Sequence, residues 1–379
     1  MSASSGNSRR AHRGLRLPAG SDVIVIGGGI IGMSIAWRLA QQRIRVTVLE
    51  AESVGGEASW AAAGMLAPGG EVEEASSWSS FAFESLRLYP SFVEELEQEA
   101  GCRIDYRQSG AIDLAFTGHE WSDLLARAQC QRRLGIESSR IAPSDLPRLV
   151  RNDVHGALFY PQDAQVNPRE IVQTLHRACT AHAVVVRERE TAVGVHSDEY
   201  FASVHSNRQI YTSSCVVLAA GAWSSSIPVR VNGQRRDTPH AFPVRGHLLG
   251  YQLDPNSLPV IVRHGHTYIL QRSSGFTIAG GSSEQAGFNR ELNGAIVSGI
   301  DERAARIVPA LSNPKPWLGF RPAIESPGPA VERLAGSRIW LAYGHYRNGI
   351  LLAPATAQRV AANITASSER GCSSPAGSR

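Results

Sequence analysis

Seven residues have types and spacings that suit chemistry: Gly27, Gly29, Gly32 and Glu50 near the N-terminus, and Tyr268, Arg321 and Arg347 in the last third of the chain. The three glycines form G-x-G-x-x-G, and Glu50 stands 21 residues past the middle one. Glycines so spaced allow a tight turn, let backbone approach a pyrophosphate, and let a helix pack closely on a strand. An acid at that distance can bind ribose hydroxyls. Arg347 lies in GHYRNGILLAP (residues 344–354), just ahead of a Gly-led helix start. Arg321 lies in LGFRP (residues 318–322), where Pro322 pushes it into extended backbone. Both arginines sit among Gly, Pro and aromatic residues rather than in charged helices. A guanidinium so placed suits a two-bond grip on a carboxylate. Tyr268, in TYIL (residues 267–270), either packs between sheet and helix or offers its hydroxyl to a ligand.

These residues need elements to position them. Residues 22–26 are almost wholly apolar, as in a strand buried on both faces. Ile31, Ile35 and Leu39 then give one apolar helical stripe, and the start of that helix presents unpaired N–H groups to an anion. A second strand over 45–49 delivers Glu50, whose carboxylate would repel the 2′-phosphate of NADP. The small residues of 55–66 (GGEASWAAAGML) suit either backbone lying against a flat ring or an Ala-rich turn of core helix. Further along, the pattern predicts helices over 83–99, 120–134, from 169, and over 294–307. It predicts strands over 108–116, 184–186, 241–253, 260–272 and 276–281, a hairpin over 191–206, and a buried strand from 215 ending in a Gly turn near 221. Pro354 is read as tolerated near the start of the last helix, where N–H groups are unpaired anyway.

The chain's 379 residues suffice for two domains, and its 42% hydrophobic and 19% charged composition is that of a globular protein. Much of the net charge of +4 lies in a Ser-rich arm over 1–20, with Arg9, Arg10, Arg13 and Arg16. That arm reads as a disordered, solvated tail, not as a nucleic-acid contact or a secretion signal. Residues 366–379 read as a flexible tail. No apolar run approaches the roughly 18 residues that span a membrane. Cys102, Cys130, Cys179, Cys215 and Cys372 are odd in number and lack C-x-x-C spacing. They read as reduced thiols of a cytoplasmic protein with no metal site.

Together these strings resemble FAD-dependent amine oxidases of the D-amino-acid oxidase superfamily, most closely the glycine oxidases of thiamine synthesis. The resemblance spans roughly residues 21–364 and is most specific at GHYRNGILLAPATA. It implies an α/β fold with an α+β insertion: a discontinuous Rossmann-like FAD domain (21–90, 150–228 and 316–365) and a mostly antiparallel substrate domain (91–149 and 229–315). It further implies that non-covalent FAD is held by Gly27, Gly29, Ile30, Ile31, Gly32, Glu50 and Ala51, by Ala58, Ser59, Ala63, Gly64 and Met65, and by His345, Tyr346, Arg347, Asn348, Gly349, Ile350 and Leu351. By the same resemblance Arg321 grips the substrate carboxylate, Tyr268 adds a hydroxyl, and Arg347 lies near substrate and flavin. His345 is read as a brace for its loop, because hydride transfer from an amine with a free lone pair needs no base. The implied activity is oxidation of glycine by O2 to glyoxylate, ammonia and hydrogen peroxide, with sarcosine or small D-amino acids as alternatives and a non-catalytic flavin protein as a third reading. The implied assembly is a homotetramer without nucleic-acid or membrane partners. Two departures bear on the pocket: RPAIESPGP (321–329) lacks the family's Asp-Gly turn, and Gly280-Gly281-Ser282 replaces its usual Gly-Ala-Thr.

Overall fold

A computed structural model describes residues 21–70, 72 and 76–372, apart from the side chains of 70, 77 and 368–372. The expected arm over 1–20 and residues 373–379 of the expected tail lie outside the described residues.

The first apolar strand, Val23–Ile26, lies inside a six-stranded sheet. The order is Ala330–Arg333, Ile339–Tyr343, Cys215–Leu218, Val23–Ile26, Val46–Leu49, Val185–Arg187, with every neighbouring pair parallel except the first. Its residues alternate between two cores. Val23 and Val25 join Met33, Trp37, Leu175 and Leu352, from helices on one face. Ile24 and Ile26 join Val195, Val204 and Val229, from a five-stranded sheet on the other. The sheet is thus covered on both sides, which is why its strands are apolar throughout.

An eight-stranded sheet forms the second layer. Its order is Lys315–Ile324, Ala241–Gln252, Phe276–Gly280, Thr267–Gln271, Ile261–His264, Ala111–Ala115, Gly156–Tyr160, Ser139–Arg140. It is antiparallel except where Ile261–His264 meets Ala111–Ala115. Helix Gly294–Ile307 seals it through Ile300, Ala304 and Ile307, which pack with Leu249, Val262 and Ile269.

The expected divisions depart from these sheets in four places. Gly156–Tyr160 and Lys315–Ile324 belong to the eight-stranded sheet, and Val229–Val231 with Gln234–Arg236 extend the five-stranded one. A break at 90 would fall inside the continuous helix Ser77–Ala100. That helix starts earlier than its apolar stripe, because Ser76 and Ser79 cap each other's backbone N–H. Thr117 and Glu120 do the same for Gly118–Arg132. The strand predicted over 260–272 is a hairpin, turned at Gly265, where φ is +54°. The final helix runs Gly349–Cys372, so part of the expected tail is helical.

Pro354 lies past the first turn of that helix, contrary to expectation. Its missing N–H leaves the Ile350 carbonyl without its helical partner. The Tyr89 hydroxyl donates to that carbonyl at 2.7 Å, and the Ala355 N–H goes to Ser85 Oγ at 3.2 Å. Helix Ser77–Ala100 therefore repairs the break from outside. Among the described residues, no helix is long and apolar enough to cross a membrane.

Candidate active site

A cavity of about 570 Å³ runs from the G-x-G-x-x-G turn to Arg321. At its first end Gly27 has φ +110°, and a Cβ there would stand 2.3 Å from the Ala219 carbonyl oxygen. Gly29, Ile30, Ile31, Glu50 and Ala51 line the cavity. Gly32 does not. A Cβ on it would fall 1.9 Å from the Gly27 carbonyl oxygen, so its part is to let helix Ile30–Gln41 lie close against the turn. Leu351, also expected at the cofactor, does not line the cavity either. It is 1% exposed and packs in the core formed with helices Ile30–Gln41 and Ser77–Ala100. Glu50 accepts the Gly28 N–H at 2.6 Å and the Glu52 N–H at 2.9 Å. Burial raises its pKa and those two bonds pull it down.

The run over 55–66 lies along one wall. Ala58, Ser59, Ala63, Gly64 and Met65 all line the cavity. Ser59 Oγ accepts the Ile30 N–H at 3.0 Å, tying the run to the helix start. Small residues are required from behind: a Cβ on Gly64 would meet the Val166 carbonyl at 1.9 Å, and one on Gly319 would meet Ala61 Cβ at 2.4 Å. Trp317 Nε1 donates to the Ala61 carbonyl at 3.0 Å, and the buried Arg272 donates to the Ala63 carbonyl. Burial lowers the Arg272 pKa to about 10. Nothing in the sequence marked Trp317 or Arg272 for this work.

The other end is made by the eight-stranded sheet. In its antiparallel register Val244 stands opposite Arg321, which makes Gly246 the diagonal neighbour on the same face. The guanidinium lies across that glycine: a Gly246 Cβ would be 2.3 Å from Nη1. Tyr268 stands opposite Gly280 and its ring covers that residue. Arg321 Nη2 and the Tyr268 hydroxyl converge, lying 3.5 and 3.8 Å from where a Gly281 Cβ would stand. Arg321 Nη1 donates to the Ser282 carbonyl at 2.7 Å. A glycine inside an apolar strand hints at close approach, but only the strand register shows that Arg321 is what approaches Gly246.

His345, Tyr346, Arg347, Asn348, Gly349 and Ile350 line the cavity from the last loop and helix start. Tyr268, Arg347 and their neighbours also border a second cavity of about 820 Å³. His345 is fully enclosed and its Nε2 meets Thr356 Oγ1 at 3.0 Å. Burial pushes its pKa down to about 3, so the ring is neutral.

The arrangement accommodates an adenine dinucleotide bearing a flat ring. The glycine turn and helix start suit a pyrophosphate, the wall of small residues suits a ring face, and a second polar end suits a small acid. A family model described as FAD dependent oxidoreductase matches residues 22–363. The chain belongs to that family. Its relatives include the glycine oxidase of Geobacillus kaustophilus, 30% identical over 90% of this chain and 92% of that protein. The bifunctional protein ThiO/ThiG of Trichormus variabilis is 31% identical over 90% of this chain and 52% of its own length. The crystal structure of the Geobacillus kaustophilus glycine oxidase superposes with a TM-score of 0.85, covering 91% of this chain and 95% of that one at 29% identity. The chain is thus an FAD-dependent oxidoreductase of the glycine oxidase-like fold.

Proposed function

We propose that this enzyme oxidises glycine to glyoxylate, ammonia and hydrogen peroxide. The observation that carries the reading is the convergence of Arg321 and Tyr268 at one end of a cavity whose other end is the dinucleotide turn. The guanidinium of Arg321 grips the carboxylate, the Tyr268 hydroxyl adds a bond to it, and the amine-bearing carbon is left facing the wall of small residues. Glu50 would bond the ribose hydroxyls, and the N–H groups of Gly29 and Ile31 would face the pyrophosphate, the Ile30 N–H being taken by Ser59. FAD, when bound, supplies a two-electron acceptor that passes the electrons on to O2. The start of the 24-residue helix at Gly349 offers its positive end to negative charge developing in the cavity. Glycine gives up two electrons and two protons to become iminoacetate, which water converts to glyoxylate and ammonia. No step uses His345 as a base, because its neutral ring is occupied with Thr356.

The name ThiO/ThiG among the relatives supports iminoacetate as a precursor for the thiazole of thiamine. We place the enzyme in the cytoplasm, as a homotetramer with FAD held non-covalently. An anaerobic visible spectrum with glycine, sarcosine and D-alanine added in turn tests the reading. Bleaching by glycine in preference to the others is expected; no bleaching by any amine would leave a non-catalytic flavin protein. Sarcosine and small D-amino acids are the second reading, favoured by the adjoining cavity. Acid precipitation is expected to leave a white pellet and free FAD in solution.

A further inference from the structure

The Arg321 guanidinium is held by the Ser282 carbonyl, and Ser282 is itself gripped from two sides. Ser282 Oγ accepts the His247 backbone N–H at 3.0 Å and donates to Glu284 Oε1 at 3.0 Å. The His247 ring is fully enclosed, and its Nδ1 lies 3.1 Å from Ser282 Oγ and 2.9 Å from Glu284 Oε1. Its protonation follows from one bond. The Asn293 backbone N–H donates to His247 Nε2 at 3.2 Å. A backbone N–H can only donate, so Nε2 carries no proton and Nδ1 carries the ring's single one. Nδ1–H therefore donates to the Glu284 carboxylate. The other carboxylate oxygen accepts from Arg245 Nη2 at 2.7 Å, and the backbones of Arg245 and Glu284 exchange two hydrogen bonds. Arg245 in turn donates to the carbonyls of Asn289 and Glu291.

We infer that His247 and Glu284 are positioning residues, which fix the Ser282 carbonyl and through it the orientation of the Arg321 guanidinium toward the substrate carboxylate. The inference rests on the reading of Arg321 as the carboxylate clamp. Three features support it. The Ser282 carbonyl bonds Nη1 directly, where the guanidinium crosses Gly246 and Gly281. His247 is buried, Glu284 is half-buried, and the bond between them is directional, so it fixes geometry at the Ser282 hydroxyl that both groups contact. Burial also lowers the His247 pKa, which keeps the one-proton ring required by the bond from Asn293.

The test uses FAD-loaded protein and the visible-spectrum change on titrating glycolate, a small carboxylate without an amine. His247→Leu and Glu284→Gln are each expected to weaken glycolate about tenfold, with flavin content unchanged. They should raise the KM for glycine far more than they lower kcat. His247→Asn, which keeps a donor near the Nδ1 position, should recover most of the loss. In an Arg321→Ala background the same substitutions should cost nothing further. If their effects instead add to that of Arg321→Ala, or glycolate binding is unchanged while Arg321→Ala weakens it, the positioning role is overturned alone. If Arg321→Ala itself leaves glycolate binding intact, the clamp falls and the inference with it. Should His247→Leu not fold, Ser282→Ala serves in the same cycle, since it removes the linking hydroxyl but keeps the carbonyl.

Discussion

At its nucleotide end the cavity is lined mainly by residues 26–31 and 49–67, whereas its substrate end draws Gly246, Tyr268, Arg321 and Arg347 from four distant segments. The first end is built on one βαβ unit in which two glycines answer steric demands: a positive φ at Gly27 and backbone contact at Gly32. The second exists only once the strand register is set, because Arg321 crosses Gly246 and Tyr268 crosses Gly280 by pairing across strands. A motif contained in one supersecondary unit binds by backbone shape. A site assembled across a sheet binds by side chains whose aim is borrowed from neighbours.

Substitutions can break that contrast in graded ways. The largest effect is expected at Gly27→Ala, whose methyl meets backbone 2.3 Å away at φ +110°. Neither partner can move aside, so purified protein should carry almost no flavin and melt at a lower temperature. A variant with full FAD content would show that the turn is more forgiving than its geometry. Next comes Arg321→Ala, with flavin content unchanged and the KM for glycine raised by a factor of ten to a hundred or so, matching about 1.5–3 kcal/mol for a bond to a charged group. Arg321→Lys should regain only part, since an ammonium lacks the planar fork. Simple amines without a carboxylate should be poor substrates in both wild type and variant. Equal damage to amines and glycine would make Arg321 structural.

Two smaller effects sharpen the comparison. Tyr89→Phe leaves the Ile350 carbonyl unsatisfied in the core and should cost about 1–3 kcal/mol in denaturant unfolding, while the KM for glycine stays the same. A changed KM would tie helix Ser77–Ala100 to the substrate end. His345→Gln should slow flavin reduction by less than about a hundredfold, the lower part of the range for losing a general base. Its pH signature is separate. The folded-state pKa of His345, about 3, lies below its ordinary 6.5, so the unfolded chain binds the extra proton first. The contribution to stability is complete above pH 6.5 and is lost as pH falls toward 3. His345→Gln should flatten that acid limb; an unchanged limb would point to other groups.

How much of this was legible follows from the same contrast. The first two strands, the glycine turn and Glu50 could be read because neighbours in sequence are neighbours in space, whereas the run over 58–65 suited either a ring face or a core helix until the resemblance chose between them. Arg321, Tyr268 and Arg347 were visible as residue types in unusual company, and resemblance supplied their roles. Gly246, Ser282, His247 and Glu284 were not legible, since only a register that pairs residue 246 with 319 brings them together. Helix starts were misplaced where polar caps at Ser76 and Thr117 extend past the apolar stripe. Pro354 misled because its repair comes from Tyr89, hundreds of residues upstream in the chain.

The six-stranded sheet places Cys215–Leu218 between Val23–Ile26 and Ile339–Tyr343, so its middle draws on both ends and the centre of the chain. During synthesis the glycine turn emerges early, yet the strand that covers its sheet on one side and the helix that backs it emerge only after residue 338. Until then Cys215–Leu218 is an open apolar edge, the kind of template on which chains join one another. Contacts of such long separation also make closure slow. The half-made chain is therefore expected to self-associate more readily than the finished one.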